Sequence, residues 1–245
     1  MYQRSSLSYF LTILMVMVLA GALLGCPSGA RFANKYDQLH PRLRHGPGAA
    51  PTPNCRVGVP SVEYAQIFEH WATIEELQSD WIKALPDCPC SITPSDKGSC
   101  PPAPLIIDSI PWSCAQASGG SVLNFYHPGA SFELRYRAQN TGNGQQCTYD
   151  TDGKLINQGP AAGTADRAGP LGTNEDRLQH RSADVDPFCA ALCADGFIYG
   201  DNIQRYLQVR PANQGKGCEP NSPHKVDKNY NYDPSLSNAS CKMSP

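Results

Sequence analysis

Cysteine is the residue type whose number and spacing could do the most chemistry in this sequence. The chain has 11 cysteines in 245 residues. The first, Cys26, ends an N-terminal apolar segment, and an even number of cysteines behind such a segment is typical of disulfides formed in an oxidising compartment. We therefore predict that the later cysteines are all paired, with the pairing left open. They are Cys55, Cys88, Cys90, Cys100, Cys114, Cys147, Cys189, Cys193, Cys218 and Cys241.

Metal binding is the alternative chemistry for closely spaced cysteines. Cys88 and Cys90 lie closer together than the two cysteines of a common zinc site. Cys189 and Cys193 would suit two ligands on one helical turn, but no cysteine and histidine partners stand at a matching spacing. The sequence therefore favours disulfides and predicts no metal site. It also predicts that Cys88 and Cys90 bond to two different partners.

Histidines and carboxylates follow no catalytic pattern. None of the 6 histidines lies in a Gly-x-Ser-x-Gly or His-Glu-x-x-His context, and the carboxylates are scattered over polar stretches. We predict that the chain is not an enzyme and has no catalytic residue and no cofactor; a secreted hydrolase is the least favoured alternative. The formal net charge of −2, without a basic cluster in the part expected to fold, argues against nucleic acid as a partner.

The N-terminal residues favour export. Arg4 precedes an apolar run over residues 9–25 that ends in small residues, so residues 1–25 are interpreted as a signal peptide. An uncleaved signal anchor is the alternative, although the run is shorter than the ~20 residues of a membrane-spanning helix. Residues 23–26 (LLGC) also resemble a bacterial lipobox, which would place a lipid on Cys26. Secretion and lipid anchoring both stay open.

Two polar segments flank the part expected to fold. Residues 26–54 are rich in proline, glycine, alanine and basic residues, which predicts a flexible linker. Residues 222–245 are interpreted as a polar C-terminal tail tied down by Cys241. Asn238 lies in an N-x-S acceptor sequence and would carry N-glycan if the chain is secreted by a eukaryotic cell.

The regular spacing of apolar residues predicts one long helix over residues 62–85. Ser61 is expected as its N-cap and Pro86 as its end. The acidic residues, including Glu75, fall mostly on the opposite face. The apolar residues recur three or four positions apart, as one stripe of a core-facing helix does: Ile67, Phe68, Trp71, Ile74, Leu77, Trp81 and Leu85.

Short apolar runs between turn residues predict strands after Pro86. The residues around 150–153 (DTDG) predict a β-hairpin, because Asp-Gly favours a turn with positive φ. We expect a long surface loop over residues 159–181. The fold class expected is therefore α+β, a small disulfide-rich domain with one long N-terminal helix and short antiparallel strands. The strands are expected at residues 105–107, 122–126, 131–137, 146–149 and 154–156, and short helices at 187–194 and 202–207.

Several motifs in a shared order resemble the AMOP domain, a module of extracellular and adhesion-associated proteins. Residues 85–90 (LPDCPC), 127–130 (HPGA) and 144–150 (GQQCTYD) match three of its elements. The chain is similar to the AMOP region of the isthmins over about residues 71–220, without their thrombospondin-type repeat. We therefore assign residues 55–221 to an AMOP-like domain.

Two positions depart from the family pattern. AMOP domains usually have a cysteine shortly after HPGA and a second one in GQQCC, where this chain has Glu133 and Thr148. Because both cysteines are missing together, the resemblance implies that they form one bridge in relatives. We predict that the Cα atoms of Glu133 and Thr148 lie roughly 4–7 Å apart.

The resemblance implies a non-catalytic interaction module of the adhesion or cell-signalling type. Its partner would be an unidentified extracellular or cell-surface protein, and it would touch a membrane only through a signal anchor or a lipid. A surface-anchored lipoprotein of bacterial type is the alternative. Loops 127–130 and 159–181 are the candidate binding loops, because a rigid scaffold would display them; a structural turn and a spacer are the equally weighted alternatives.

Overall fold

A computed structural model describes residues 55, 58–95, 99–103, 105–116, 122–222, 231–232 and 241. Helices and an antiparallel sheet alternate along this part of the chain, which confirms the α+β class. In chain order the elements are helix α1 (Val62–Glu76), a 3-10 helix (Ser79–Ala84), strands β1 (Leu105–Ile107) and β2 (Ile110–Gln116), helix α2 (Val122–Tyr126), strands β3 (Phe132–Arg137), β4 (Gly144–Tyr149), β5 (Leu155–Ile156) and β6 (Ala165–Asp166), helix α3 (Asn174–His180), a π-helical turn (Arg181–Val185), and helices α4 (Asp186–Ala194) and α5 (Asp201–Val209).

The sheet is antiparallel throughout. Its strand order is β1-β2-β3-β4-β5, and β6 pairs with the opposite end of β4. The β4–β5 hairpin confirms the turn expected at residues 150–153: Asp150 donates its backbone N–H to the Lys154 carbonyl at 3.0 Å, and Gly153 has a φ of 74°. A side chain at Gly153 would place its Cβ 2.3 Å from the carbonyl oxygen of Ile92.

Helix α1 begins as the sequence predicts and ends earlier. Ser61 caps it, since the Ser61 hydroxyl accepts the backbone N–H of Tyr64 at 3.4 Å. The prediction of one continuous helix over residues 62–85 is wrong, because α1 ends at Glu76 and Leu77 is 83% exposed. The tighter 3-10 turn that follows places Trp81 against the guanidinium of the buried Arg210.

The described residues form two large hydrophobic cores, one among the helices and one on the sheet, and a small third cluster around Ala161. The helical core is formed by residues of α1, α2, α4 and α5, with Phe68, Trp71 and Ile203 fully buried. The sheet core includes Trp112 and Leu134 with the buried Cys88 and Cys147.

The prediction of a strand at residues 122–126 is wrong, because these residues form helix α2. Neighbouring residues of a strand point to opposite faces, whereas Phe125 and Tyr126 both reach the helical core. Their ring centres lie 6.2 Å and 5.2 Å from those of Tyr232 and Phe188, respectively. Burial of both rings on one side therefore favours the helix.

The surface loop expected at residues 159–181 is also wrong in its first half. Residues 160–166 are buried and end in strand β6, and residues 174–180 form helix α3. The expected helices at 187–194 and 202–207 are confirmed as α4 and α5. Among the described residues, no helix has both the length and the apolar character that crossing a bilayer requires.

Candidate functional site

All ten cysteines after Cys26 form disulfides. Cys88 and Cys90 bond to different partners, as the sequence predicts. Three bridges hold the sheet core, and the other two reach helix α4 of the helical core. The pairs are Cys55–Cys193, Cys88–Cys147, Cys90–Cys218, Cys100–Cys114 and Cys189–Cys241.

Two predicted modification sites lie outside the described residues. These are the lipid site at Cys26 and the glycosylation site at Asn238. The signal peptide over residues 1–25 and the linker over residues 26–54 lie outside them too, so these assignments and the domain bounds stay predictions.

The register of the sheet confirms the prediction for Glu133 and Thr148. The two residues are directly paired across β3 and β4. Directly opposite residues of an antiparallel pair have Cα atoms about 4.5–5.5 Å apart, within the range that a disulfide spans.

The same strand pair carries a buried polar face. Side chains of a strand alternate between two faces, so Leu134 enters the sheet core while Glu133 and Arg135 lie on the other side, level with Thr148 and Gln146 of β4. Glu133 and Thr148 are only 8% and 0% exposed. The polar residues of β3 therefore face the helices and not the solvent.

Arg135 is the first centre of charge on this face. Its Nε donates to Glu133 at 3.0 Å, and its Nη1 donates to Oδ2 of Asp166 on β6 at 3.2 Å. Burial alone would raise the pKa of Glu133, but the Arg135 guanidinium and the Gln146 amide outweigh it and hold that pKa below its ordinary value. Glu133 is therefore an anion at neutral pH.

Asp184 is the second centre of charge. Its carboxylate accepts the backbone N–H groups of Arg167 at 2.7 Å and Ala168 at 3.1 Å, and it lies 3.3 Å from Nδ1 of His180. Burial opposes its charge, yet the His180 hydrogen bond and the Arg210 charge lower the pKa of Asp184. Burial also opposes the charge of His180, but Asp166 and Asp184 raise the pKa of that imidazole.

Arg210 connects this cluster to helix α1. It is 0% exposed, lies 2.8 Å from Glu75 and 3.4 Å from Asp184, and its guanidinium is 5.1 Å from the ring centres of Trp71 and Trp81. The structure therefore buries Glu75, which the sequence pattern places on the face opposite the apolar stripe.

Asp166 differs from the other buried carboxyls. Burial raises its pKa to about 6, against the attraction of His180 and Arg135. It lines a cavity of about 460 Å³ between the polar face of the sheet and the helices. The aromatic wall of this cavity is formed by Tyr126, Phe188, Tyr206 and Tyr232.

Both loops predicted to bind a partner contribute to this cavity instead of being displayed as whole loops. His127 is 7% exposed; its Nδ1 lies 2.9 Å from the Ala162 carbonyl oxygen, and its Nε2 lies 3.0 Å from Oε1 of Gln146. Burial lowers the pKa of His127 to about 4, so the ring is neutral at physiological pH. It joins residues 127–130 to residues 160–166 in the interior.

Sequence reasoning missed the cluster of Asp166, His180 and Asp184, whose ligand atoms lie within 4.8 Å of one another. Its members are separated along the chain and belong to no known catalytic motif. One signal was present: the alternating charges at Glu133 and Arg135 on β3 need charged partners if the strand is buried.

The comparisons with known proteins concern this same part of the chain. The sequence profile of the AMOP domain matches residues 64–219. Human Sushi domain-containing protein 2 is 28% identical over 161 residues, which cover 61% of this chain and 18% of that relative. No solved structure matches the chain. The profile covers more than half of the sequence and includes the three motifs on which the resemblance was based, so the chain belongs to the AMOP domain family.

Proposed function

We propose that this chain is an extracellular, non-catalytic interaction module of the adhesion or cell-signalling type. The observation that supports this most is the complete pairing of ten cysteines in a member of the AMOP family. Disulfides persist in oxidising compartments, and they are rare where glutathione and thioredoxin keep thiols reduced. That chemistry supports an extracellular location.

The partner in this proposal is an extracellular or cell-surface protein. Of the loop expected over residues 159–181, the part that stays displayed is helix α3 with the turn before it. Leu178 of this helix is 68% exposed. Thr173 caps α3, since its hydroxyl accepts the N–H of Asp176, and Asp176 is anchored to Arg137 of β3. Helix α3 is therefore a fixed, exposed element that a partner can contact.

A secreted hydrolase is less well supported by the cavity. Among the described residues, neither a serine nor a thiol lines it, and the Tyr206 hydroxyl donates to the Asp184 carbonyl at 3.2 Å. His180 directs Nδ1 at the Ala168 carbonyl, 2.9 Å away, and both oxygens of Asp184 accept backbone N–H groups. These contacts hold the side chains in place, and in the described part of the chain no serine or cysteine of the cavity stands beside a base.

Cell binding by the purified, oxidised protein tests the proposal. We expect saturable binding of the labelled protein to cells of its source, competed by unlabelled protein and lost after reduction and alkylation. Leu178→Glu should weaken this binding, and Leu77→Glu, a matched change at another exposed leucine, should not. Absence of competed binding, or hydrolysis of ester, peptide or glycoside substrates that Asp166→Asn abolishes, would contradict the proposal.

The intact mass of the mature chain tests the N-terminal alternatives. Loss of residues 1–25 without added mass supports secretion, whereas a diacylated Cys26 supports the lipoprotein. A mass excess removed by an N-glycosidase would place glycan on Asn238.

A further inference from the structure

We propose that the cavity binds a protonated amine carried on an apolar stem, and that Asp166 is the carboxylate that receives the ammonium group. This inference does not depend on the partner of the interaction module, and its failure would leave that proposal unchanged.

One oxygen of Asp166 lacks a hydrogen-bond donor. The residue is 3% exposed and lines the cavity. Its Oδ2 accepts from Arg135, but the nearest cation to Oδ1 is Nδ1 of His180 at 4.0 Å, beyond hydrogen-bonding distance. No described residue donates to Oδ1. Oδ1 is thus the oxygen of this carboxylate that is still able to accept, and a ligand N–H in the cavity would supply a charge-assisted donor.

The charged groups around the cavity have an excess of negative charge. Two nearby ion pairs, Arg137–Asp176 and Arg181–Asp186, are each neutral. The remaining charged groups in mutual contact are one more acidic than basic when His180 is protonated: Glu75, Glu133, Asp166 and Asp184 face Arg135, Arg210 and His180. A ligand with a single positive charge would balance them.

The walls of the cavity suit an organic cation. Tyr126, Phe188, Tyr206 and Tyr232 line it, with Phe188 and Tyr206 packed edge to face at 5.4 Å between ring centres. Aromatic faces attract cations and bury apolar stems. A volume of about 460 Å³ lies within the usual range for small-molecule sites.

The contacts disfavour the two rival occupants. A metal ion held by Asp166, Asp184 and Nδ1 of His180 would have to break the 2.9 Å bond between that nitrogen and the Ala168 carbonyl and compete with two N–H groups for Asp184. An anion would have to draw Arg135 away from the carboxylates of Glu133 and Asp166, to which it already donates.

Binding of 2-phenylethylamine to the oxidised full chain, measured by calorimetry and ligand-observed NMR at pH 7.5, tests the proposal. The neutral isostere 2-phenylethanol and the anion phenylacetate are the matched probes. We expect the amine to bind at least about tenfold more tightly than either, a difference of one charge-assisted hydrogen bond. Equal binding of amine and alcohol, tighter binding of phenylacetate, or no amine binding at millimolar concentration would overturn the proposal.

Three variants locate the binding. Asp166→Asn should weaken amine binding about tenfold or more and leave the alcohol unchanged, whereas the exposed control Asp87→Asn should bind as wild type. Leu207→Trp should weaken amine binding by filling part of the cavity that Leu207 lines, while the Asp166 carboxylate is kept. Amine binding that survives both cavity variants would overturn the assignment, as would stoichiometric Zn²⁺ binding that Asp166→Asn abolishes.

Two further probes distinguish the source of the amine. Nα-acetyl-lysine methylamide presents the lysine side chain of a partner protein, and its norleucine analogue is the uncharged control. Tighter binding of the lysine probe than of 2-phenylethylamine would identify a partner's lysine, and the reverse would identify a free amine; both support the site. Equal binding of the lysine and norleucine probes would count against it.

Discussion

At the scale of single residues, the interior of this protein is unusual because it buries charged side chains between two hydrophobic cores. Glu75, Glu133 and Asp184 are each matched by an arginine or a histidine. Asp166 is matched less completely. These differences determine which residues stabilise the fold and which reduce its stability.

Asp166→Asn should raise the free energy of unfolding at pH 7.5 by about 1–3 kcal/mol. The folded pKa of about 6 lies above the ordinary value of 3.8. Between these values the folded state keeps a proton that the unfolded state has released, so the Asp166 contribution becomes unfavourable as the pH rises through that range. The gain from asparagine should therefore disappear below about pH 4. Urea unfolding at pH 7.5 and below about pH 4 measures this gain, with Asp87→Asn as the control. A lower free energy of unfolding for Asp166→Asn than for wild type at pH 7.5 would contradict the prediction.

Arg210→Ala should lower the free energy of unfolding by about 3–5 kcal/mol, because it leaves Glu75 buried without its cation and Asp184 with only His180 as a cationic partner. Arg205→Ala is the matched control. Arg205 also links α5 to α1, through Glu76, but that pair is exposed to solvent, so its loss should cost less than about 1 kcal/mol. Urea unfolding of the two variants compares a buried with an exposed ion pair to α1; equal losses of the free energy of unfolding would refute the distinction between them.

At the scale of secondary-structure elements, the sequence predicted the elements that depend on local signals. Ser61 marks the start of α1, and Asp150 to Gly153 mark the hairpin. The predictions that were wrong concern elements that depend on tertiary contacts. The end of α1 follows the contact between Trp81 and Arg210, and these residues are far apart along the chain. Helix α2 follows aromatic packing against Phe188 and Tyr232, which a short apolar run cannot reveal.

The candidate site was harder to predict than the disulfides. The number of cysteines by itself indicated full pairing, and the family resemblance placed Glu133 opposite Thr148. Asp166, His180 and Asp184 meet because β6 pairs with β4 and a π-helical turn follows α3. Neither feature has a local signal in the sequence, so the cluster could not be found without the tertiary structure.

Gly153→Ala should destabilise the β4–β5 hairpin by more than the ~1–2 kcal/mol that a left-handed backbone costs. Its Cβ would meet the Ile92 carbonyl at 2.3 Å. Gly217 has the same φ of 74°, and a Cβ added there would meet no atom within 4 Å, so Gly217→Ala isolates the backbone cost. Thermal unfolding of both variants measures the difference, and an equal loss would show that the contact with Ile92 is unimportant.

Replacing both Glu133 and Thr148 by cysteine should create a sixth disulfide between β3 and β4, because the two positions are directly paired. Thiol titration after denaturation without reduction should find the double variant as fully oxidised as wild type. The single variants Glu133→Cys and Thr148→Cys should each show one thiol per chain. Two titratable thiols in the double variant would mean that the register differs from the one described.

At the scale of the whole molecule, the disulfides divide into two groups that follow the two cores. Cys88, Cys90 and Cys100 join the sheet core, whereas Cys55 and Cys241 attach to helix α4. The buried charges lie between these groups. Stability should therefore depend on the bridges within each core and on ion pairs between the cores.

Of two disulfides in the sheet core, the one that closes the longer loop should contribute more to the free energy of unfolding. The sequence separation is 128 for Cys90–Cys218 and 14 for Cys100–Cys114. Loop-closure entropy assigns them about 5 and about 3 kcal/mol, respectively. Paired cysteine-to-serine variants of each bridge, compared by urea unfolding, should preserve that order. A greater loss on removing Cys100–Cys114 would show that native-state packing, and not chain entropy, governs the ranking.

The attachment of Cys241 to Cys189 has a consequence for processing of the chain. A protease that cuts one peptide bond between positions 222 and 241 would not release the C-terminal fragment, since sulfur would still hold it to helix α4. The cut protein would keep its mass, apart from one added water, and would separate into two polypeptides only under a reducing agent. Proteolytic maturation by such a cut would thus leave the two polypeptides joined, while creating one new C-terminus and one new N-terminus.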